Sequence, residues 1–591
     1  MAEAFLGVER SLMGRLWLAR NYNKRLALTI AQRLAVSEVV GRVLDSRGIT
    51  IENSTNFLNP TLKDQLPDPA HLKDMNIAAQ RLSRAVIEGE KIAIFGDYDV
   101  DGATSSALLK QFFTHVGSKV KVIIPDRIRD GYGPNTKALL KLREEKFSVV
   151  VTVDCGTTSF EPIEAAMNAG LDVIVVDHHE SEATLPNATA IVNPNRMDDD
   201  SPHGHLAAVG VTFLLIVAVN RALRGSKWYV DHKEPDLIQW LDLVALGTVC
   251  DVVPLKGINR AFVKQGLKVM SKRNNLGIVA LADLAGIDEP PSAYHAGYVL
   301  GPRINAGGRV GKSDLGSRLL SSKDKTEVAE IATALNDYNS ERQEIEAKVL
   351  DQAIEQINNS ESKTASFVMV VGEGWHPGVI GIVASRLKER FDKPSIVITL
   401  NEDNGIGSGR SVSGVDLGSA IISARQMGII SKGGGHAMAA GLSIDIDRIG
   451  DLRLFLNDRF ADDFADRPIV PAHLMDGALK VAGANLNLVK ALEKVGPYGS
   501  GNPEPRFVIT NALINHADLV GKDQSHLRMT LSDETGRRLN AIAFRAVDTN
   551  MGQALINHGG APFHVSGKIR VNTWNGRSTV QLLVDDAAPV W

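Results

Sequence analysis

Cysteine is almost absent from this chain of 591 residues, which has only two, Cys155 and Cys250. They do not form a pair with the short spacing of a zinc ligand set. The sequence therefore excludes a disulfide framework and a cysteine-based zinc site. So low a content favours a reducing compartment, and we expect a cytoplasmic protein.

Long apolar runs are also missing. The longest, residues 206–219, is shorter than the ~20 residues that a membrane-spanning helix needs. The first twenty residues mix acids and arginines without a sustained apolar segment, unlike a signal peptide. We therefore predict that 206–219 is a buried core helix and that the protein does not associate with a membrane.

A large excess of charge of one sign is absent as well. The chain has 65 Lys and Arg against 69 Asp and Glu, a formal net charge of −4. This balance excludes a nucleic-acid binder driven by overall charge, although a local basic groove stays possible. Apolar residues at 44% and charged residues at 23% are typical of folded protein, and the length predicts several domains.

Short apolar runs alternate with helix-like segments in the first half of the chain, at 91–96, 120–125, 148–153 and 172–176. This alternation predicts a parallel sheet covered on both faces, whose ligands bind beyond the carboxyl ends of the strands. Residues 326–358 follow helical spacing and predict a long connector helix. A second α/β unit begins near residue 366. From about residue 469, short alternating strands predict a small antiparallel barrel or sandwich.

Ionisable residues follow three of the predicted strands. The segment 96–102, GDYDVDG, follows the first strand, Asp154 follows the third, and Asp177-His178-His179 follows the fourth. Asp251 follows a helix-like segment. A calcium loop of the EF-hand type is excluded, because its twelfth position is Leu108 and a strand precedes it. These side chains are expected to meet at one edge of the sheet.

Carboxylates with imidazoles and no thiolate suit Mn²⁺ or Mg²⁺, and histidine favours Mn²⁺. The aspartates are too many for one ion. Two ions about 3.5–4 Å apart would activate water and hold the attacking and leaving oxygens of a phosphoester. A P-loop is excluded at 306–313, because the first glycine is replaced by Ala306 and no strand precedes it.

Four segments, GDYDVDG, VDCG, VDHHE and TVCDVVP, resemble the four motifs of the DHH phosphoesterase superfamily. SGRS at 408–411 and GGGH at 433–436 resemble the associated DHHA1 domain. GPRINAGGR at 301–309 and GPYGSGNP at 496–503 resemble the RecJ family of single-strand-specific 5′→3′ DNA exonucleases. The resemblance runs from about residue 45 to the end.

The resemblance implies an α/β fold. A parallel-sheet DHH domain and an α/β DHHA1 domain are joined by a long helix, and a C-terminal β-barrel of the OB-fold type follows. We accordingly predict an N-terminal extension over 1–60, a DHH catalytic domain over 61–290, a basic segment and connector helix over 291–360, a DHHA1 domain over 361–465, and an OB-fold nucleic-acid-binding domain over 466–591.

The resemblance also implies the site residues. Those of the metal centre are Asp97, Asp99, Asp101, Asp154, His178, His179 and Asp251. Asp154 would bridge the ions, and Asp154, His178 and His179 would be catalytic. One histidine would donate a hydrogen bond to the phosphate rather than bind metal, and the sequence does not distinguish the two. Ser408 and Arg410 would hold a 5′ phosphate, with further contacts to DNA from Arg303, Arg309, Gly434, Gly435 and His436. Lys568, Arg570 and Trp574 interleave cations and an aromatic ring on one predicted hairpin, which suits stacking of unpaired bases.

The implied function is a metal-dependent 5′→3′ exonuclease that hydrolyses single-stranded DNA to 5′-mononucleotides in recombination and repair, by in-line attack at two ions, Mn²⁺ or Mg²⁺. Its partners would be single-stranded DNA with a 5′ phosphate, a single-strand-binding protein and a helicase, and we expect a monomer. Two alternatives stay open. A phosphodiesterase or phosphatase for short oligonucleotides or small phosphoesters would not need the barrel at 469–591. A non-catalytic DNA-binding scaffold would not need the full set of acids.

Overall fold

The structure, a computed structural model, describes residues 3–127, 129–359, 366–401, 404–465, 470–574 and 577–590. The chain divides into two compact units. The first unit comprises Met1–Pro67, Val252–Gln265 and Val470–Trp591, and the second comprises Asp68–Asp251 and Gly266–Ile469. The first unit is thus assembled from three separate pieces of chain.

The described chain contains strands and helices in alternation, numbered here in chain order. The strands are β1 Leu16–Ala19, β2 Ile92–Gly96, β3 Val120–Ile123, β4 Val149–Val153, β5 Asp172–Val176, β6 Ala190–Val192, β7 Val368–Glu373, β8 Ser395–Asn401, β9 Asn404–Arg410, β10 Lys432–His436, β11 Ala439–Asp445, β12 Ala472–Met475, β13 Gly477–Leu479, β14 Phe507–Val520, β15 His526–Ser532, β16 Arg538–Ala543, β17 Phe563–Trp574 and β18 Arg577–Pro589.

The α-helices are α1 Lys24–Leu34, α2 Glu38–Asp45, α3 Ile51–Leu58, α4 Leu62–Gln65, α5 Met75–Ile87, α6 Val100–His115, α7 Thr136–Glu144, α8 Phe160–Asn168, α9 Ala208–Gly225, α10 Leu241–Cys250, α11 Gly257–Met270, α12 Leu276–Leu284, α13 Gly301–Val310, α14 Leu315–Ser321, α15 Lys325–Asn358, α16 Pro377–Phe391, α17 Leu417–Gln426, α18 Ile449–Ala465, α19 Leu486–Glu493 and α20 Asn550–Ile556. A π-helix spans His295–Leu300.

The first sheet of the second unit has five strands in the order β3-β2-β4-β5-β6, and every pair is parallel. All residues of β2 and β4 are buried, because helices cover both faces. The predicted parallel sheet is confirmed, and all four predicted apolar runs form strands. The apolar run beginning at 206 lies mostly in α9, the one helix of the described chain long and apolar enough to cross a membrane, and 72% of its apolar window is buried within the fold.

The second sheet has the order β10-β11-β9-β8-β7, with β7 and β8 parallel and the other pairs antiparallel. The connector predicted over 326–358 is the single helix α15. It begins at Asp324, whose carboxylate accepts hydrogen bonds from the first backbone amides. At its other end Val349, Ala353 and Ile357 pack into the core beneath β7.

The barrel of the first unit has the strand order β13-β14-β15-β16-β18-β17 and closes through β14 and β17. Most of its strands are longer than the sequence predicts, because irregularities such as the one between Ile514 and His516 bend them round the barrel. Residues 1–60 pack into the same unit. Strand β1 pairs in parallel with β12, and the buried Trp17 donates from its indole nitrogen to Asp586 at 3.0 Å.

One buried arginine holds the loop that carries the GPYGSGNP motif. Arg260 is 1% exposed, and its guanidinium donates to the carbonyls of Phe57 at 2.8 Å, Val495 at 2.8 Å and Gly496 at 2.6 Å. It also lies 3.8 Å over the ring of Phe57. Burial lowers the pKa of Arg260 to about 10. The start of this motif is therefore held in place by Arg260, a structural role that the motif's sequence does not predict.

Candidate metal centre

The acids and histidines are positioned by the ends of three neighbouring strands. Gly96 of β2 aligns with Val153 of β4, which aligns with Val176 of β5. The next residues along each strand, Asp97, Asp154 and Asp177, therefore begin at the same edge of the sheet. Asp154 has a φ of 61°, a backbone conformation that costs free energy for a non-glycine residue and is concentrated at functional sites.

Two helix N-termini orient the second half of the GDYDVDG motif. Asp99 caps α6 by accepting from the amide of Gly102 at 3.0 Å. The carboxylate of Asp101 accepts from the amides of Ala208 at 2.6 Å and Val209 at 2.9 Å, at the start of α9. A Cβ at Gly102 would lie 2.5 Å from the carbonyl oxygen of Asp97, so the tight turn requires glycine.

The His178 side chain points into this group of acids. Its Nε2 lies 3.3 Å from Asp154 Oδ1, 3.6 Å from Asp251 Oδ2 and 3.9 Å from Asp101 Oδ2. Its ring also hydrogen-bonds the backbone of Leu206. Burial, with the charge of His179, lowers the pKa of His178 to about 4, so the ring is neutral at pH 7. A neutral imidazole held at one nitrogen presents the lone pair of the other as a metal ligand.

His179 is held differently. Its Nδ1 lies 2.7 Å from Asp177 Oδ1 and 4.0 Å from Asp154 Oδ1, and its side chain is 44% exposed. Burial opposes the charged ring, but the hydrogen bond and charge of Asp177 outweigh it and raise the pKa of His179. Burial acts against Asp177 too, yet the hydrogen bond from His179 keeps the pKa of Asp177 below its usual value.

The remaining carboxylates repel one another. Burial first, and then the charge of Asp99, raises the pKa of Asp97 and of Asp251 to about 7. Burial and neighbouring aspartates also raise the pKa values of Asp101 and Asp154. In such a cluster a divalent cation replaces repulsion by attraction.

The donor atoms fit metal ions. The buried atoms Asp97 Oδ1, Asp154 Oδ1, His178 Nε2 and Asp251 Oδ2 have no hydrogen-bond partner within the described structure. Three groups have ligand atoms within 4.8 Å of one another: Asp97, Asp99 and Asp154; Asp101, His178 and Asp251; and Asp154, His178 and His179. All seven residues predicted for the metal centre are thus brought together, and Asp154 belongs to two groups.

The sequence predicts Asp177 only as an ionisable residue at the sheet edge, and it does not identify Asn193 and Tyr132, which also hold this site. Asp177 fixes His179, and Asn193 donates to the carbonyl of His179 at 2.8 Å. The hydroxyl of Tyr132 donates to the carbonyl of Asp154 at 2.9 Å. Gly131 and Gly133, each with a φ of 80°, flank this tyrosine. The Gly-Tyr-Gly segment after a strand is the signal that could have identified it.

Three arginines of the same unit, Arg127, Arg309 and Arg410, lie near one another. Arg410 donates to Ser408 Oγ at 3.2 Å, and the half-buried Arg309 donates to the carbonyl of Gly378 at 2.9 Å. Burial, together with the charges of Arg127 and other arginines, lowers the pKa of Arg309 to about 10 and also lowers the pKa of Arg410. Like charges held together form a candidate anion site. Arg127, in the loop after β3, was not predicted.

The other residues predicted to bind DNA in this unit have contacts with protein groups or lie in an edge strand. Arg303 is held by the carbonyl of Val299 and the side chain of Asn336. Gly434 and Gly435 lie in the edge strand β10, and His436 at its end is 3.8 Å from Glu180, which follows His179.

In the first unit, Arg570 forms two hydrogen bonds to Glu504, at 2.7 and 2.6 Å, and Lys568 lies 3.9 Å from the same carboxylate. The side chain of Trp574 lies outside the described residues.

The segment 301–310 is the helix α13 and not a phosphate loop, as predicted.

Comparison with known proteins identifies three regions. Residues 91–248 match the model of the DHH family, N-terminal domain, residues 363–462 match the DHHA1 domain, and residues 475–586 match the RecJ OB domain. The single-stranded-DNA-specific exonuclease RecJ of Bacillus subtilis is 33% identical over 575 residues, which cover 97% of this chain and 70% of the relative. The protein of the same name from Escherichia coli is 34% identical over 565 residues, which cover 93% and 95%.

Solved structures agree with this assignment. The crystal structure of RecJ in complex with Mn²⁺ from Thermus thermophilus matches with a TM-score of 0.80 and 27% identity, covering 97% of this chain and 78% of that one. The Mg²⁺ complex of the Thermus protein matches with a TM-score of 0.75 and 25% identity. Sequence, domain order and fold agree, and the chain belongs to the RecJ family of single-stranded-DNA-specific exonucleases.

Proposed function

We propose that this protein is a 5′→3′ exonuclease that hydrolyses single-stranded DNA to 5′-mononucleotides with two divalent ions, Mn²⁺ or Mg²⁺. One observation carries the proposal: four buried donor atoms, at the ends of three strands and one helix, have no hydrogen-bond partner within the described structure and belong to groups whose ligand atoms lie within 4.8 Å of one another. Two ions would satisfy them and would supply Lewis acidity and an activated water at neutral pH. The relatives crystallised with Mn²⁺ and Mg²⁺ support the choice of ion.

The side chains divide the work according to their surroundings. Asp154, which groups with Asp97 and Asp99 and also with the two histidines, would help to hold both ions. His178 links this set to Asp101 and Asp251. His178, neutral and buried, would be a ligand. His179, bound through Nδ1 to Asp177, has its other ring nitrogen available to donate to a phosphate oxygen. In this proposal His178 is the metal ligand and His179 is the hydrogen-bond donor to the phosphate, two roles that the sequence does not distinguish.

We propose that the arginine cluster binds the 5′ end of the DNA strand. Arg127, Arg309 and Arg410 with Ser408 would hold the 5′-terminal phosphate, so that cleavage releases one nucleotide at a time. Following the family, we propose a role in recombination and repair, with a single-strand-binding protein and a helicase as partners. We further propose a monomer in the cytoplasm.

The proposal is tested with a 5′-labelled single-stranded oligonucleotide, its duplex, and a small phosphodiester. We expect Mn²⁺-dependent release of mononucleotides from the single strand alone, and no release in EDTA. Cleavage of the small phosphodiester in preference to the oligonucleotide would favour a small-molecule phosphodiesterase. Binding of DNA without cleavage in Mn²⁺ or Mg²⁺ would favour a non-catalytic scaffold.

Arg410→Ala is expected to weaken the preference for 5′-phosphorylated ends by roughly tenfold, since a charge-assisted hydrogen bond to the phosphate is lost. The measurement is the ratio of kcat/KM for 5′-phosphorylated and 5′-hydroxyl substrates. Arg459→Ala, which removes an exposed arginine of the DHHA1 region, is the control. An unchanged ratio in the Arg410 variant would remove this residue from the phosphate site.

Asp177→Asn is expected to lower kcat by about 10- to 100-fold, because Asp177 orients the ring of His179 and sustains its charge. The pH profile separates this role from a structural one. Loss of the carboxylate should lower the pKa of His179, so the remaining activity should fall off at a lower pH than in the unaltered protein. A profile of unchanged shape would contradict this assignment.

A further inference from the structure

Two exposed tyrosines stack on each other at the surface of the second unit. Tyr294 is 54% exposed and Tyr298 is 74% exposed, with ring centroids 5.4 Å apart and planes inclined by 24°. Large aromatic side chains are seldom so exposed in a stacked pair, because burial would stabilise them. The mechanism proposed above uses neither.

The backbone beneath them explains why they project together. Tyr294 precedes and Tyr298 lies within the π-helix His295–Leu300, a rare form that is frequent at functional sites. His295 turns inward, with Nε2 3.1 Å from Glu289 and Nδ1 accepting from the amide of Ser292 at 3.2 Å. With His295 fixed inside, the two tyrosines lie on the outer side.

The π-helix is fastened to the helix that supplies a candidate metal ligand. The thiol of Cys250 donates to the carbonyl of Ala296 at 3.3 Å, and Cys250 immediately precedes Asp251. A Cβ at Gly297 would lie 3.2 Å from Val249, and one at Gly301 would lie 2.5 Å from Cys250 Sγ. These close contacts place the π-helix that carries Tyr298 against the end of α10, next to Asp251.

We propose that Tyr294 and Tyr298 form a stacking platform for unpaired bases of the strand on the 3′ side of the scissile bond. The proposal rests on the proposed function. A strand whose 5′ phosphate is held at the arginines and whose first phosphodiester lies at Asp154 must continue past the centre. The outer face of Tyr298 would extend the tyrosine stack with a base, and such stacking tolerates any sequence. Paired bases are already stacked on their neighbours, so the platform would favour single strands.

The test compares Tyr294→Ala, Tyr298→Ala, the double variant and Tyr298→Phe on two 5′-phosphorylated substrates, a dinucleotide and a long oligonucleotide. For the long substrate we expect KM to rise about tenfold in the alanine variants, with kcat little changed, and to recover in Tyr298→Phe. The dinucleotide, too short to reach the platform, should be cleaved equally by all. Tyr22→Ala, at an exposed tyrosine of the first unit, is the control.

A binding measurement without divalent ions separates this proposal from the proposed function. Fluorescence anisotropy is recorded with oligonucleotides that carry one abasic site at successive positions. In the unaltered protein, certain abasic positions should weaken binding, and that penalty should vanish in the double variant. A penalty that persists, or an unchanged KM for the long substrate, overturns the platform. If the unaltered protein cleaves neither substrate, the proposed function fails, and the abasic series still decides on the platform.

Discussion

Asp154→Ala is expected to abolish cleavage, with a loss in kcat on the order of a thousandfold or more, because it removes the carboxylate that belongs to two ligand groups. Binding of single-stranded DNA should persist, since the arginine cluster and the barrel are untouched. Asp200→Ala, at an exposed aspartate of the same unit, should keep full activity. Full activity of the Asp154 variant with Mn²⁺ would refute the metal centre.

A second measurement shows that this loss does not arise from unfolding. Burial and four surrounding aspartates raise the pKa of Asp154, so its charge destabilises the fold when no cation is present. The isosteric Asp154→Asn should therefore raise Tm in EDTA, where a gain of about 1 kcal/mol corresponds to ~1 °C for a unit of this size. Added Mn²⁺ should stabilise the unaltered protein far more than the variant. A lower Tm in EDTA would contradict the electrostatic account of the cluster.

Arg260→Ala is expected to lower the free energy of unfolding of the first unit by roughly 3–5 kcal/mol, since three buried carbonyls lose their donor. Hydrogen exchange over 1–67 and 470–591 measures the effect within that unit. Arg42→Ala breaks a surface ion pair with Glu38 and should cost less than about 1 kcal/mol. Equal protection in both variants would show that Arg260 does not hold the loop.

The metal centre was predictable from the sequence because its geometry is local to one sheet. Apolar runs set β2, β4 and β5, and parallel strands bring Asp97, Asp154 and Asp177 to the same edge without further information. Asp99 and Asp101 are further placed by the start of α6, and Asp251 follows α10, so its position depends on how that helix packs.

Features formed by distant segments were not predictable in this way. Arg127, Arg309 and Arg410 lie on a loop, a helix and a strand, and no periodicity links them. The ion pair of Arg570 was not predictable for the same reason. Its partner Glu504 is distant in the sequence but lies beside it in the structure. Likewise, the sequence predicts residues 1–60 only as an N-terminal extension, and nothing local shows that Trp17 is buried against Asp586.

The three-piece construction of the first unit bears on how the protein is made. Strand β1 leaves the ribosome early, but its partner β12 and the barrel that buries Trp17 are among the last segments translated. At about 5–20 residues per second, the N-terminal segment waits roughly half a minute to two minutes with its apolar side chains uncovered, while the second unit can already fold. During this interval the apolar side chains of the nascent N-terminal segment are exposed. A chaperone that binds apolar segments would therefore have this segment as its substrate.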